Sequence, residues 1–377
     1  MVLPYQLGYH PGPSVVLTVL HDKRLGLVQR HDLIADPEHC REAAQRAISI
    51  AERESATSLI VLAHEDTEGE SAPLSEAMVA AAAAKGIPVH ERIVVRAGRW
   101  FSPDCQDSCC PEAGRVLPRP EDVPAVAAFV HAGVAPLPSR EALVQGVLPE
   151  RDAQRARSVG LHLASLGQTT STRTFGGGST VPQPVECWLD RGEDVLRWWT
   201  LLLDPRPDAI PVADLTDEAI AWLAISLRDV IWRDALMGIL APGSLSAAVQ
   251  VGDSAELAAL AATRCPWVPD VASWWDDEED LARAAEAVDE WHEEVLAVRS
   301  RCIELTRLLP AGATPSVLTL VAHLAWWTGD GTVAGICLEQ ALEIDPGHRL
   351  AGLMMRLLSF GVRPWPERPS AGPRAVA

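Results

Sequence analysis

Apolar positions along the first hundred residues switch repeatedly between a strand-like and a helical period. Residues 14–20 (SVVLTVL) are a short β-branched run. Residues 24–33 (RLGLVQRHDL) follow after His21-Asp22-Lys23, a spacing that predicts a β-hairpin. The next segment carries Ala43, Ala44, Ala47, Ile48 and Ala51 at helical spacing, opened by Pro37 with acidic residues around it. Residues 58–66 (SLIVLAHED) read as a buried-type strand. Residues 74–86 (LSEAMVAAAAAKG) read as an alanine-rich helix closed by Gly86. Residues 87–101 (IPVHERIVVRAGRWF) predict a further strand, bent or hairpinned at Ala97-Gly98. The order β-β-α-β-α-β predicts an α/β domain with a mixed sheet.

Beyond Trp100 the pattern changes. Residues 102–124 are rich in Pro, Cys and acidic groups and predict an ordered loop or lid. Helical signals return in residues 122–133 (DVPAVAAFVHAG), 139–148 (SREALVQGVL) and 150–167 (ERDAQRARSVGLHLASLG), and residues 169–186 (TTSTRTFGGGSTVPQPVE) have the composition of a linker or long surface loop. From Cys187 onward the spacing predicts helices throughout, roughly 187–203, 217–240, 245–263, 277–309, 315–328, 331–344 and 347–360. The last of these resemble a tetratricopeptide helical pair. Leu318, Val321, Ala322 and Ala325 take the first helix's packing positions, "TGDG" the turn, and Ala334, Leu338, Ala341 and Pro346 the second helix's places. The expected organisation is therefore 1–135 as an α/β domain and 136–186 as connecting helices and linker. A helical domain over 187–362 and a Pro-rich disordered tail at 363–377 complete it.

Charge narrows the partners. The net charge of −19 opposes binding to nucleic-acid phosphates and to an anionic membrane surface. Lys23 and Lys85 are the lysines of the chain, and asparagine is absent, which excludes N-glycosylation and a Cys-His-Asn catalytic set. No secretion signal or membrane-length apolar run is visible, and the eight cysteines do not form a disulfide framework. A cytoplasmic protein is expected. Thirteen tryptophans stand against four phenylalanines and two tyrosines. Most lie in the helical half beside Leu and Ala, where core and interface packing is expected.

Two constellations could carry chemistry. Cys105, Cys109 and Cys110 sit within six residues of RWFSPDCQDSCCP (99–111). With a histidine they could complete a zinc site, or they could act as redox thiols; packing as small hydrophobes is the plainer reading. The spacing lacks two separated Cys-x-x-Cys pairs, and adjacent Cys109-Cys110 would ligate one metal only with strain. The second constellation lies at strand ends: Arg30, His31 and Asp32; His64, Glu65 and Asp66; Arg99 and Trp100. If those strands run parallel, their ends form one rim, where open α/β sheets bind ligands. Two histidines and several carboxylates there could hold a divalent metal or serve as acid and base, although polar residues are expected wherever a strand exits to solvent. No nucleophile elbow, phosphate-binding loop or H-E-x-x-H motif occurs.

The segments LPYQLGYHPGPSVVLTVL, RLGLVQRHDL, GRWFSPDCQDSCCPEAG and PSREALVQGVL, with the closing AWWTGDGTVAGICLEQALEIDPGHRLAGLMMRLLSFGVRP, resemble an uncharacterised bacterial family, domain of unknown function 4192. The resemblance spans nearly the whole chain. It implies further residues ahead of the first "PY" and brings no reaction, cofactor or catalytic residue. The function expected is a protein-binding or scaffolding module that engages another protein or itself. A metal-assisted hydrolase at the rim and a thiol-based redox or metal sensor are the alternatives.

Overall fold

Every residue from Ser14 to Leu20 is buried, because this strand lies inside a six-stranded sheet and is packed on both faces. The computed structural model describes residues 2–22, 24–105, 107–131, 134–168, 172–174, 180–182, 185–241, 244 and 292–362. The expected helix at 245–263, residues 277–291 of the next and the tail at 363–377 lie outside them. Two compact units divide at 143/144. The expected connecting segment 136–186 therefore falls mostly in the second unit.

The first unit begins with a short helix that the sequence pattern did not predict, α1 (Leu3–Leu7). Strands β1 (Ser14–His21) and β2 (Arg24–Asp32) form the expected hairpin, with Asp22 at a positive φ of 56° in its turn. Next come α2 (Pro37–Arg53), β3 (Ser58–Glu65), α3 (Ala72–Ala84) and β4 (Val89–Arg96). The unit continues with β5 (Arg99–Phe101), β6 (Arg115–Val116) and α4 (Pro124–His131); α5 (Arg140–Val147) crosses the division. The sheet order is β2-β1-β3-β4-β5-β6, with β3 and β4 parallel and every other pair antiparallel. That is the mixed sheet expected. Ala97 and Gly98 have φ of 48° and 71°, the two positive values of a type I′ turn, so β4 and β5 form a tight hairpin.

Alternation in β3 sets the layers. Leu59, Val61 and Ala63 are fully buried and meet Val15, Leu17 and Val19 of β1. Onto this face pack α2, through Cys40, Ala44, Ala47 and Ile48, and α3, through Leu74, Met78 and Ala82. Asp36 caps α2 by accepting from the His39 amide, and Pro37 takes the first turn, as expected for a helix start. Small alanines on both helices allow them to lie close to the sheet and to each other.

The second unit is helical apart from one ribbon. Its elements are α6 (Ala153–Gln168), β7 (Thr172–Thr174) paired antiparallel with β8 (Thr180–Pro182), α7 (Val185–Leu202), α8 (Asp217–Ser226) and α9 (Val230–Leu240). The ribbon falls within the expected linker. The single helix predicted at 217–240 is two, because Asp229 caps a new start by accepting from the Trp232 amide. Then follow α10 (His292–Leu308), α11 (Thr314–Trp327), α12 (Gly331–Ile344) and α13 (Arg349–Ser359). Nearly all of α11 is buried, and its short link to α12 forces an antiparallel pair. Gly329, at φ 85°, makes that turn, and Asp330 caps α12 through the Val333 amide. Trp199, Trp222, Trp232, Trp326 and Trp327 are buried, as expected of packing residues. The Trp199 indole donates to Ser226 Oγ at 2.9 Å and that of Trp326 to the Val362 carbonyl at 2.8 Å. Among the described residues, no helix is long and apolar enough to cross a membrane.

One buried group in this unit couples stability to pH. His323 on α11 bonds Ser244 Oγ through Nε2 at 2.8 Å, and burial pushes its pKa down to about 3. The unfolded chain, with a normal histidine, binds the proton first as pH falls. Stability should therefore be complete above pH 6.5 and decline below it by up to about 1.4 kcal/mol per pH unit from this group, down to its folded pKa. Urea titrations between pH 7 and 4 should show a slope one proton shallower for His323→Gln than for the native chain.

Candidate functional site

Strand direction decides whether the rim exists. β1 runs antiparallel to both β2 and β3, so β2, β3 and β4 all point one way. The ends carrying 30–32, 64–66 and Arg96 consequently share one edge with the start of β5 at Arg99 and Trp100.

Register then splits that edge into two faces. Paired residues lie on the same face, and neighbours along a strand lie on opposite faces. Asp32 pairs with Ser14, Ser14 with His64, His64 with Val95 and Val95 with Trp100. Arg30 lies two residues back from Asp32, on that same face. His31 instead pairs with Val15, whose other partner Ala63 belongs to the core beneath α2 and α3. His31 and His64 therefore lie on opposite faces. Burial pushes both imidazoles down to about 4, with Arg30 repelling each and Arg46 on α2 adding to the effect at His31. Both are neutral at pH 7, and Nε2 of each is buried with no hydrogen-bond partner among the described residues. Arg30 is bound to Asp32 at 2.6 Å.

Glu65 lies on the helix face. Its side chain is 3% exposed and is fully engaged. The Ser71 hydroxyl donates to it at 2.6 Å, the Ser71 amide at 3.0 Å, the Gly69 amide at 3.3 Å and Arg96 at 2.9 Å. Burial raises its pKa, but Ser71, Gly69 and Arg96 outweigh burial and hold the carboxyl below its ordinary value. The Asp66 amide donates to Glu70 at 2.5 Å, closing the turn into α3. These carboxylates organise backbone. Elsewhere, in the helical unit, an open groove of about 270 Å³ is lined by Leu148, Arg151, Leu318, Gln340 and Ile344 and holds none of the candidate residues.

The cysteine loop is different. It spans residues 102–114 between β5 and β6, and the sheet clamps it at both ends. Arg92 of β4 grips Asp104 with two bonds, Nε at 2.9 Å and a terminal nitrogen at 2.6 Å. Arg99 donates to the carbonyls of Ala113 at 2.7 Å and Gly114 at 2.8 Å. Gly114 sits at φ 67° against the Phe101 ring, where an added Cβ would come within 2.5 Å of a ring carbon. Inside the loop, Cys110 N–H donates to the Asp107 carbonyl at 2.9 Å and Gly114 N–H to Pro111 at 2.8 Å.

Held in this way, the three thiols converge. Cys105 Sγ lies 3.6 Å from Cys109 Sγ, and Cys109 Sγ lies 3.8 Å from Cys110 Sγ. All three sulfurs fall within 4.8 Å of one another, the only such group of metal-ligating side chains among the described residues. A tetrahedral thiolate site with metal–sulfur bonds of about 2.3 Å has sulfur–sulfur edges of about 3.8 Å. Adjacent Cys109 and Cys110 meet this spacing, and among the described non-glycine loop residues none adopts a positive φ. The Asp107 amide, followed by bonds from Cys110 and Cys109, draws the Cys105 pKa below the ordinary thiol value. Cys110 is pushed up to about 11, first by its bond to Cys105 and then by burial. Cys40, Cys302 and Cys337 are buried thiols whose pKa values rise with burial.

Sequence reasoning named the thiols and the rim residues but missed Arg92, Asp104 and Gly114, which fix the loop. Asp104 and Gly114 flank the cysteines and could have been flagged. Arg92 could not, because its role depends on the β4–β5 pairing. The chain belongs to the family described as domain of unknown function DUF4192, whose model matches residues 1–273 and 281–365. No curated protein and no solved structure matches it.

Glu65 provides a test of how this edge is built. Replacing it with Ala takes from Arg96 its buried partner, leaving it the exposed Glu68 at 3.3 Å, and leaves the Ser71 amide unsatisfied. A buried donor left unsatisfied costs about 1–3 kcal/mol, and chemical denaturation of Glu65→Ala should show a loss in that range. The native contribution should be present above pH 4.5 and fade as pH falls through the lowered folded pKa.

Proposed function

We propose that this chain is a cytoplasmic, non-enzymatic regulatory protein that senses soft metal ions or oxidants through Cys105, Cys109 and Cys110. One observation carries the reading: three sulfurs spaced at metal-ligand edge distances on a loop clamped to the sheet. Thiol chemistry also needs access, and Cys109 is exposed while Cys105 and Cys110 are partly so. Cys40, Cys105, Cys109, Cys110, Cys302 and Cys337 are unpaired, which suits a reducing compartment. A rim hydrolase draws less support, because one metal shared by His31 and His64 would require a ring to cross the sheet. The test uses Cd(II), whose thiolate complexes absorb in the ultraviolet. One Cd(II) per chain with that absorption, lost in Cys109→Ser, is expected. No such absorption, together with no disulfide among the three after mild peroxide, defeats the reading.

A second reading concerns the helical unit, a surface that binds another protein or a second copy of the chain. Leu353, Phe360 and Val362 remain exposed at its last helix, α13. The net charge of −19 favours a protein over nucleic acid as partner. Affinity purification from the native host should return a partner that is lost in Leu353→Ser. Recovery of the bait alone counts against this reading.

A further inference from the structure

The donor set of the thiol loop is narrower than a generic metal site requires. It contains sulfur and nothing else: no His, Asp or Glu joins the three cysteines among the described residues. The nearest carboxylate in sequence on the N-terminal side, Asp104, already receives both bonds of the Arg92 fork. A closed zinc site would need a fourth protein ligand, and zinc with three protein ligands keeps an open position for water. A soft monovalent ion has no such requirement. Soft thiolate donors suit both Cu(I) and zinc, but Cu(I) is satisfied by three sulfurs in a plane, whereas a closed zinc site takes four ligands. The clamps matter here as well. Arg92, Arg99 and the Phe101–Gly114 contact hold both ends of the loop from the sheet side, at Asp104 and at Ala113-Gly114, without an ion.

Resting on the thiol reading above, we infer that Cys105, Cys109 and Cys110 form a three-coordinate site for Cu(I), open to solvent and exchangeable. The ion enters and leaves as Cu(I). Its bonds to sulfur replace thiol protons, which pass to solvent, and no electron is transferred. Exposure of Cys109 places the entry path on the solvent side of the loop.

The experiment titrates the reduced full-length chain, without oxygen, with Cu(I) held by a chromophoric chelator, and separately with Zn(II) held by another. One Cu(I) per chain is expected, bound at least a hundredfold more tightly than Zn(II), with X-ray absorption showing three sulfur neighbours. Each of Cys105→Ser, Cys109→Ser and Cys110→Ser should lose at least tenfold in Cu(I) affinity while keeping native circular dichroism. Zn(II) binding as tightly as Cu(I), or copper with fewer than three sulfurs, overturns the inference and leaves a thiol metal site standing. Copper retained equally by all three variants overturns it as adventitious. Failure of both ions to bind ends the metal arm of the wider reading too, and leaves oxidation as its remaining input.

Discussion

The buried carboxylate of Glu65 is the joint on which the first unit turns. It ends β3, receives the backbone that opens α3, and takes the guanidinium that ends β4. In this crossover of β3, α3 and β4 a single side chain bonds all three. The cost of burying the charge is met by four donors rather than by one ion pair, which is why the carboxyl stays ionised despite 3% exposure. Arg96 in turn lies over the Phe101 ring, 4.8 Å from its centroid, so the same network reaches β5 and the start of the thiol loop.

Parity sorts the edge of the sheet. Because side chains alternate, residues that are neighbours in sequence separate onto two faces with different tasks. His31 and Glu65 go to the helix side, where burial and backbone bonding use them up. Arg30, Asp32 and His64 go to the other side. A cluster that looks dense along the chain is thus diluted twofold in space. The thiol loop escapes this rule because it is not a strand: its turns bring Cys105, Cys109 and Cys110 together irrespective of parity.

Local signals carried most of the fold. Alternation in 58–65, the alanine periodicity of α2, Pro37 after an acidic cap and the Ala97-Gly98 turn are all encoded within a few residues, and each predicts its element. The helical pair near the C-terminus is legible for the same reason, through Asp330 and the flanking glycines. What escaped is non-local. Helix α1 has five residues and no periodicity to read. The break at Asp229 competes with apolar residues on both sides that continue the helical pattern. The separation of His31 from His64 depends on the register of β1 against two strands, and that register is set by core packing of Val15, Leu17 and Val61. The Arg92–Asp104 clamp likewise joins residues that only the β4–β5 hairpin brings together.

The eight cysteines are best understood through solvent and context together. Cys40, Cys302 and Cys337 are buried within helices, and burial pushes the last two up to about 12, which keeps them protonated and inert. The loop thiols face water, bond one another and are restrained by charged residues of the sheet instead of by a core. Beside the Phe101–Gly114 contact, two arginines hold the loop's ends, Arg92 at Asp104 and Arg99 at the Ala113 and Gly114 carbonyls. Arginine clamps preserve an arrangement of polar groups that the hydrophobic effect alone would not favour. Their placement on either side of the three sulfurs, at Asp104 and at Ala113-Gly114, is therefore the strongest structural reason to regard the thiols as a site.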